Sequence, residues 1–253
     1  MKALITGASN GLGRDFAIKL ANMGYDVVLV ARSKDKLEKL KQDIKTNCEI
    51  EIMDLSNKDN VYKLYEKYKN KIDLLINNAG FGDAGFFTET SLDNELNMID
   101  LNVVTYHILT KLFLKDFVKR DSGQILNVAS SAAFQPGPLM ATYYASKSYV
   151  YNLSMAIYEE LRHQKSNVHI SILCPGPVDT GFNDRAQVKF AVKSLTSDYV
   201  VNYTLKKMKK NKLIIIPGFG MKLAVFGGRF INRKSLLKII FNVQERKLDN
   251  ENS

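Results

Sequence analysis

Short apolar runs alternate along the chain with longer stretches in which apolar residues recur every three or four positions. The runs predict β-strands at Lys2–Thr6, Asp26–Ala31, Glu49–Met53, Ile72–Ile76, Gln124–Ala129, Val168–Cys174 and Lys212–Ile216. The longer stretches predict helices at Gly11–Met23, Lys34–Thr46, Val61–Tyr68, Leu92–Lys119 and Thr142–His163. Near-continuous Val, Ile and Leu runs are typical of strands buried on both faces. The alternation therefore predicts an α/β fold, a doubly wound parallel sheet with helices on both faces.

The chain shows no sign of subdivision. No internal repeat, low-complexity tract or linker interrupts its 253 residues. A chain of this length is able to form one large α/β domain or two small ones. We expect a single domain over residues 1–253.

Composition and cysteine usage indicate the class of protein and its cellular location. Apolar residues make up 45% of the chain and charged residues 25%, which is ordinary for a globular protein. No apolar run reaches membrane-spanning length, and the N-terminal residues lack the layout of a signal peptide. Cys48 and Cys174 lie far apart without metal-ligand spacing, so we expect no disulfide framework and no metal site. These observations predict a cytoplasmic location.

The net charge of +10 is unevenly distributed. From Arg185 to the C-terminus there are 15 Lys and Arg against 4 Asp and Glu, whereas residues 1–184 carry 21 against 22. A basic terminal region on a neutral body is a local feature and not the charge pattern of a nucleic-acid-binding fold. We therefore expect no nucleic-acid partner.

A glycine-rich turn joins the first predicted strand to the first helix, with the sequence TGASNGLG at Thr6–Gly13. Glycine tolerates positive φ and lets a backbone approach a pyrophosphate closely. The N-terminus of the following helix offers free N–H groups and a partial positive charge to such an anion. Glycine also bends turns that bind nothing, but the strand–turn–helix context favours a nucleotide site.

Three polar side chains form a candidate catalytic group. Ser130 ends a predicted strand, Tyr143 comes thirteen residues later, and Lys147 lies one helical turn beyond Tyr143. The i,i+4 spacing directs Tyr143 and Lys147 toward one pocket, although such a pair is also common on helix surfaces. A tyrosine with a pKa near ~10 is a weak base at neutral pH, and we expect the nearby ammonium to lower that pKa. Ser130 would then orient a carbonyl oxygen while Tyr143 transfers a proton to it.

The spacing Ser–x12–Tyr–x3–Lys resembles the active site of the short-chain dehydrogenase/reductase family. The neighbouring Tyr144 has Ser148 at its i+4 position, so Tyr143 is the better match. The glycine turn has the TGxxxGxG spacing of the same family. Further matches follow in the family's order, at Asp54–Leu55, Asn77–Gly80, Asn102 and Pro175–Thr180. The resemblance covers residues 1–180 closely and the remainder loosely.

This resemblance implies a Rossmann-type fold, hydride transfer between a nicotinamide cofactor and a small-molecule carbonyl or alcohol, and a homodimer or homotetramer. In the family, the asparagine matched by Asn102 supports a proton-relay water beside the lysine. The implied catalytic residues are Ser130, Tyr143, Lys147 and Asn102. The implied cofactor contacts are Gly7, Ser9, Asn10, Gly11, Leu12, Gly13, Asp54, Leu55, Asn78, Ala79, Gly80, Tyr143, Lys147, Pro175, Gly176, Val178 and Thr180.

The choice between NADP(H) and NAD(H) depends on the end of the second predicted strand. An acidic residue there would bind the ribose hydroxyls and repel a 2′-phosphate, but the chain has Ala31 followed by Arg32. A guanidinium suits a phosphate, and Lys34 and Lys36 add positive charge. Many NADP-preferring relatives carry a second basic residue in the glycine turn, where this chain has Asn10. We expect NADP(H) to be favoured, with Arg32 as a cofactor contact.

No motif follows Thr180. The resemblance implies a substrate lid over residues 181–210, followed by a basic C-terminal extension at 219–253. The extension mixes apolar and basic residues, which is typical of a helix on an anionic membrane surface. The same pattern fits a helix that packs on its own domain or on a partner subunit, and we favour packing.

Three functions remain open at this point. The first is a ketone or aldehyde reductase, and the second is a nucleotide-binding regulatory protein without catalysis. The third is a membrane-surface protein, such as a reductase of a lipid-like substrate. Intact Ser130, Tyr143, Lys147 and Asn102 favour the enzyme, because a regulator needs the glycine turn but no proton relay.

Overall fold

The computed structural model of the protein describes residues 1–180 and 194–249. Its strands are β1 (Lys2–Thr6), β2 (Asp26–Ala31), β3 (Cys48–Ile52), β4 (Leu74–Asn77), β5 (Gln124–Val128), β6 (His169–Leu173), β7 (Val178–Asp179), β8 (Leu195–Thr196) and β9 (Ile214–Ile215). Its helices are α1 (Gly11–Asn22), α2 (Lys34–Gln42), α3 (Lys58–Tyr68), α4 (Leu92–Ile99), α5 (Thr105–Lys119), α6 (Ala141–His163), α7 (Ser197–Met208), α8 (Phe219–Gly228) and α9 (Arg233–Asp249).

The main sheet has the strand order β3-β2-β1-β4-β5-β6-β9, and every pairing in it is parallel. The chain runs outward from β1 to β3 and then returns to β4 on the other side of β1. The loops after β1 and β4 therefore leave the sheet in opposite directions and open a crevice at the carboxyl ends of the strands, where α/β proteins bind ligands.

Helices cover both faces of the sheet, as the apolar pattern predicts. Ala3 and Ile5 of β1 join a buried cluster with α1, α2 and α7 on one face. Leu4, between them, joins a second cluster with α3, α5 and α6 on the other face. Successive side chains of a strand point to opposite faces, so one short apolar run supplies both layers. The predicted doubly wound, Rossmann-type architecture is confirmed.

The predicted helix Leu92–Lys119 is helical throughout, but it is not α-helical over its whole length. A π-helical turn at Asp100–Val104 separates α4 from α5, and Asn102 lies inside it. Such turns occur frequently at functional sites. The turn spans only 5 residues, too few for a change of period to show in the sequence, so periodicity alone does not reveal it.

The structure describes the predicted lid over residues 181–210 only in part. Residues 181–193 of the predicted lid lie outside the described residues. The later part of that range, α7, packs against α1, and its Val200 and Val201 are fully buried. This part is a component of the core layer and not an open covering segment.

The two C-terminal helices pack only in part. In α9, Ile240 and Gln244 are buried, so this helix docks on the domain as we favoured. In α8 no residue is buried. The expectation that its apolar side chains pack on the domain is therefore wrong for most of them. Across residues 1–180 and 194–249, no helix combines the length and apolar character needed to cross a membrane.

Candidate active site

A cavity of about 610 Å³ occupies the crevice between β1 and β4. The predicted cofactor contacts all line it except Gly13, and so do Ser130, Tyr143 and Lys147. Of the predicted catalytic residues, only Asn102 lies behind its wall. Side chains and turns that are far apart in sequence therefore meet in one place, because each follows the carboxyl end of a strand or begins the next helix.

The glycine turn after β1 is tightly constrained. Gly11 has φ +50°, and a Cβ there would lie 2.9 Å from the Cβ of Thr180. At Gly13 a Cβ would collide with the carbonyl oxygen of Gly7, so a side chain is excluded by the backbone itself. Gly13 thus allows the start of α1 to pack closely against the turn, and it does not line the cavity.

The hydroxyl of Thr6 connects the glycine turn to the loop after β4. It accepts hydrogen bonds from the backbone N–H groups of Asn78 at 2.9 Å and Ala79 at 3.0 Å. In return, the Asn78 amide donates to the carbonyl oxygens of Thr6 and Gly7 at 3.0 and 3.2 Å. The two loops that flank the crevice are therefore fixed relative to each other.

The part of the cavity beside the ends of β2 and β3 carries mixed charge. Arg32 is half exposed, and its guanidinium lies 3.5 Å from the carboxylate of Asp54. Burial acts against the charged form of Asp54, but hydrogen bonds from Ser56 and the charge of Arg32 hold its pKa below the ordinary value. Ser33 and Lys36, at the N-terminus of α2, also line the cavity, whereas Lys34 pairs with Glu38 at 3.7 Å.

The catalytic side of the cavity is built by the end of β5 and the start of α6. Ser130 follows β5, and its side-chain oxygen accepts a hydrogen bond from the N–H of Ala132 at 3.1 Å. The hydroxyl of Tyr143 is hydrogen-bonded to Ser130. Lys147 lies one turn along α6, nearly fully buried, and donates to the carbonyl of Val128 at 3.1 Å. Its ammonium is 5.9 Å from the centre of the Tyr143 ring.

Burial decides the protonation of this group. It raises the pKa of Tyr143 to about 12, with the hydrogen bond to Ser130 acting in the opposite direction. The net shift of this pKa is upward and not downward as expected, because burial is its largest cause. Burial lowers the pKa of Lys147 to about 8, and the Cys174 side chain acts weakly against that shift. At neutral pH the phenol is protonated and the ammonium largely charged.

Asn102 lies behind the catalytic group, fully buried in the π-helical turn. Its amide oxygen accepts from the N–H of Phe81 at 3.1 Å, and its amide nitrogen donates to the carbonyl of Phe81 at 2.9 Å. The nitrogen also lies 3.2 Å from the hydroxyl of Ser146 on α6. Asn102 therefore ties the loop after β4 to α6, and its predicted support of a relay water stays a prediction.

The far end of the cavity is closed by residues that the motifs did not single out. Tyr144 on α6 accepts a hydrogen bond from the buried amide of Gln244 on α9. The other side chains at this end are Gln135, Met140, Met221, Ala224, Val225 and Val243. We call this mostly apolar end the substrate chamber.

The sequence model of short chain dehydrogenases matches residues 1–199 of the chain. The chain belongs to the short-chain dehydrogenase/reductase family. An uncharacterized oxidoreductase of Staphylococcus saprophyticus is 34% identical over 185 residues, which cover 70% of this chain and 78% of that protein. The human very-long-chain 3-oxoacyl-CoA reductase is also 34% identical, over 173 residues that cover 63% of this chain. The chain matches only 54% of the human protein, about half its length.

Solved structures of the family superimpose on this fold. A short-chain dehydrogenase from Sphingobium yanoikuyae in complex with NADPH has a TM-score of 0.82 and 28% identity, covering 90% of this chain and 93% of its own. A family member from Burkholderia phymatum in complex with NAD has a TM-score of 0.80 and 26% identity, covering 89% and 91%. A nicotinamide cofactor is therefore supported for this short-chain dehydrogenase/reductase, and both forms occur among similar structures.

The crevice of this short-chain dehydrogenase/reductase fits such a cofactor. The first N–H groups of α1 have no intrahelical partner and face the glycine turn, where Gly7 and Gly11 leave room for a pyrophosphate. Tyr143 and Lys147 line the same cavity. A nicotinamide bound in this crevice would supply or accept a hydride.

No sequence motif of this short-chain dehydrogenase/reductase points to the substrate chamber. Gln244 and Met221 belong to no motif, and Ser33 looks like an ordinary helix cap. The signals were present but weak. The one sign that a polar side chain points inward is Gln244. This glutamine follows Val243 among apolar residues of a basic helix.

Proposed function

We propose that this protein is an NADP(H)-dependent reductase of ketones or aldehydes. The observation that carries the proposal is the Ser130–Tyr143 hydrogen bond with Lys147 behind it, at the junction of the nucleotide crevice and the substrate chamber. In reduction, the carbonyl carbon takes the hydride and the carbonyl oxygen takes the phenolic proton. The product is the alcohol.

The protonation of Tyr143 supports the reductive direction. A phenol whose pKa is raised to about 12 carries its proton at neutral pH, which a proton donor in reduction requires. The developing phenolate is stabilised by Lys147, whose charge is close and poorly screened. The Ser130 hydroxyl holds the substrate oxygen beside that proton.

The preference for NADP(H) rests on Arg32, Ser33 and Lys36. Ser33 caps α2 without a side-chain hydrogen bond to that helix, so its hydroxyl can face a 2′-phosphate. Two cations and a helix N-terminus surround the same position. The Arg32–Asp54 contact is long and partly exposed, so a phosphate can displace it at little cost.

The substrate chamber suits an apolar carbonyl compound. Its walls are mainly methionine and aliphatic side chains, and its polar groups are Gln135 and the hydrogen-bonded pair Tyr144 and Gln244. The human relative is named for a 3-oxoacyl substrate, which carries a ketone on an apolar chain. A medium to long apolar ketone or aldehyde is the substrate class that we propose.

The direct test is a panel of apolar and polar ketones, aldehydes and secondary alcohols with NADPH and NADH, followed by nicotinamide absorbance. We expect reduction of apolar carbonyl compounds, faster with NADPH. Tight nucleotide binding without turnover of any compound would instead indicate the regulatory protein.

We also propose a homodimer or homotetramer in the cytoplasm. Leu92, Leu96 and Ile99 form an exposed apolar stripe on α4, which suits a subunit contact. Light scattering coupled to gel filtration measures the state, and Leu96→Lys should shift it toward smaller species if this stripe forms the contact.

A further inference from the structure

The outer side of α8 exposes an unusual set of large apolar residues. Phe219, Leu223 and Phe226 are 75%, 54% and 58% exposed, and Phe230, just beyond the helix, is 77% exposed. The rings of Phe226 and Phe230 pack edge to face at 5.3 Å. We call these four residues the α8 apolar face. A contiguous group of this kind marks an interaction surface more often than a solvated one.

The opposite side of the same helix lines the substrate chamber. Met221 and Val225 recur at i and i+4 and lie about half a turn from Leu223 and Phe226. Ala224 borders them and also lines the chamber. A single helix therefore separates the chamber from whatever covers the α8 apolar face.

Positive charge flanks this face along the chain. Residues Met221 to Gln244 contain five Lys and Arg and no Asp or Glu. Lys222 flanks the face and donates to the hydroxyl of Tyr203 at 2.8 Å. Arg229, Arg233, Lys234 and Lys238 are exposed, and none of the four forms an ion pair within the described part of the chain.

The positive charge distinguishes between two possible partners of the α8 apolar face, a second copy of the chain and a lipid surface. A second copy of the chain, placed face to face by a two-fold axis, would bring the same cations together without an acidic partner. An anionic lipid surface offers both the negative charge that the cations lack and an apolar interior for the phenylalanines. Charge complementarity therefore favours a bilayer.

We propose that the α8 apolar face rests on anionic lipid membranes, with Arg229, Arg233, Lys234 and Lys238 at the level of the headgroups. The substrate that enters behind α8 is then an apolar carbonyl compound that partitions into the bilayer. This second statement rests on the proposed reductase function, whereas the membrane contact does not.

The first experiment measures vesicle binding of the full-length protein by flotation. We expect binding to mixed phosphatidylcholine–phosphatidylglycerol vesicles, little binding to phosphatidylcholine alone, and weakening by salt above ~0.1 M, where the screening length falls below about 10 Å. Tyr143→Phe should bind as the wild type does, because binding needs no catalysis. Equal binding to both kinds of vesicle, or to neither, would overturn the proposal.

Two surface variants locate the contact. Phe226→Ser with Phe230→Ser should weaken binding by at least about tenfold, since two aromatic side chains leave the lipid. Arg229→Glu with Arg233→Glu should weaken it by at least about 20-fold, because each cation near an anionic surface contributes roughly fivefold. The matched control is Tyr62→Ser with Lys63→Glu on α3, both exposed, which should bind normally.

Folding and assembly are checked on the same variants. All four substituted positions are exposed, so thermal unfolding should be unchanged. If Phe226→Ser with Phe230→Ser bound vesicles normally but dissociated an oligomer, the face would belong to a second copy and the membrane proposal would fail.

A separate experiment tests whether the substrate enters from the bilayer. Anionic vesicles should raise the rate with a membrane-partitioned ketone for the wild type and not for Phe226→Ser with Phe230→Ser. The two proteins should reduce a water-soluble ketone equally. Equal stimulation of both proteins by vesicles would overturn delivery through the bilayer, and an absence of turnover with every ketone would count against the reductase function alone.

Discussion

The nucleotide end of the cavity is made of turns at strand ends, whereas its substrate end is closed by side chains from α6, α8 and α9. At the nucleotide end, a Cβ on Gly7 would lie 2.8 Å from the backbone of Ala79, and a Cβ on Gly13 would collide with the carbonyl oxygen of Gly7, so side chains are excluded there. At the substrate end the contacts are between side chains, such as Tyr144 and Gln244, one hundred positions apart.

Backbone contacts and side-chain contacts tolerate different substitutions. Backbone contacts permit few residue types, because a single Cβ is enough to break them. Side-chain contacts between helices tolerate substitutions of similar volume. Substitutions on α8 and α9 can therefore reshape the substrate chamber without disturbing the glycine turn.

The largest effect that we predict is at the proton donor, where the two ends meet. Tyr143→Phe keeps the ring but removes the transferable proton, so turnover should fall by at least ~10²-fold while NADPH binding is retained. Steady-state kinetics and nucleotide titration measure the two properties.

Tyr144→Phe is the matched control for that variant. It removes a hydroxyl from the adjacent position, where the partner is Gln244 and not Ser130. We expect a much smaller loss of turnover. A Tyr143→Phe protein that worked at the wild-type rate would show that another group donates the proton.

The nucleotide end is tested by Arg32→Asp. This change replaces a phosphate partner by a repelling charge, so NADPH should bind about tenfold more weakly or worse, while NADH binding holds or improves. Lys34→Asp is the control, because Lys34 pairs with Glu38 and does not line the cavity. Unchanged selectivity in Arg32→Asp would mean that Arg32 is only a surface residue.

The stability of the nucleotide-free protein should depend on pH through Lys147. Its pKa is about 8 in the folded protein against an ordinary 10.5, so between these values the unfolded chain holds a proton that the folded one releases. The free energy of unfolding should therefore rise with pH across this window, by at most ~1.4 kcal/mol per pH unit. Denaturant titrations of the wild type and Lys147→Met should diverge there, and parallel curves would contradict the low pKa.

The smallest predicted effect is at the substrate end. Gln244→Ala removes the side chain that holds Tyr144 in the chamber, so KM for a confirmed substrate should change several-fold while the Kd for NADPH stays constant. Asn242→Ala, at an exposed position two residues earlier, is the control. A change in nucleotide affinity in Gln244→Ala would show that the two ends are not separate.

The sequence by itself determined the sheet, its helical layers and the nucleotide end of the site. Apolar runs in strands carry their own period, and the spacing of Tyr143 and Lys147 is fixed by one helical turn. The motifs at strand ends meet because parallel strands deliver their carboxyl ends to one edge. These features depend on local geometry, and the order of residue types along the chain reflects that geometry.

Only the tertiary structure decided the rest. The π-helical turn at Asn102, the raised pKa of Tyr143 and the contact between Tyr144 and Gln244 all depend on what packs around each group. The division of the basic extension into a chamber-lining side and the α8 apolar face is of the same kind. Burial and long-range contacts are properties of neighbours in space, and no spacing along the chain specifies them.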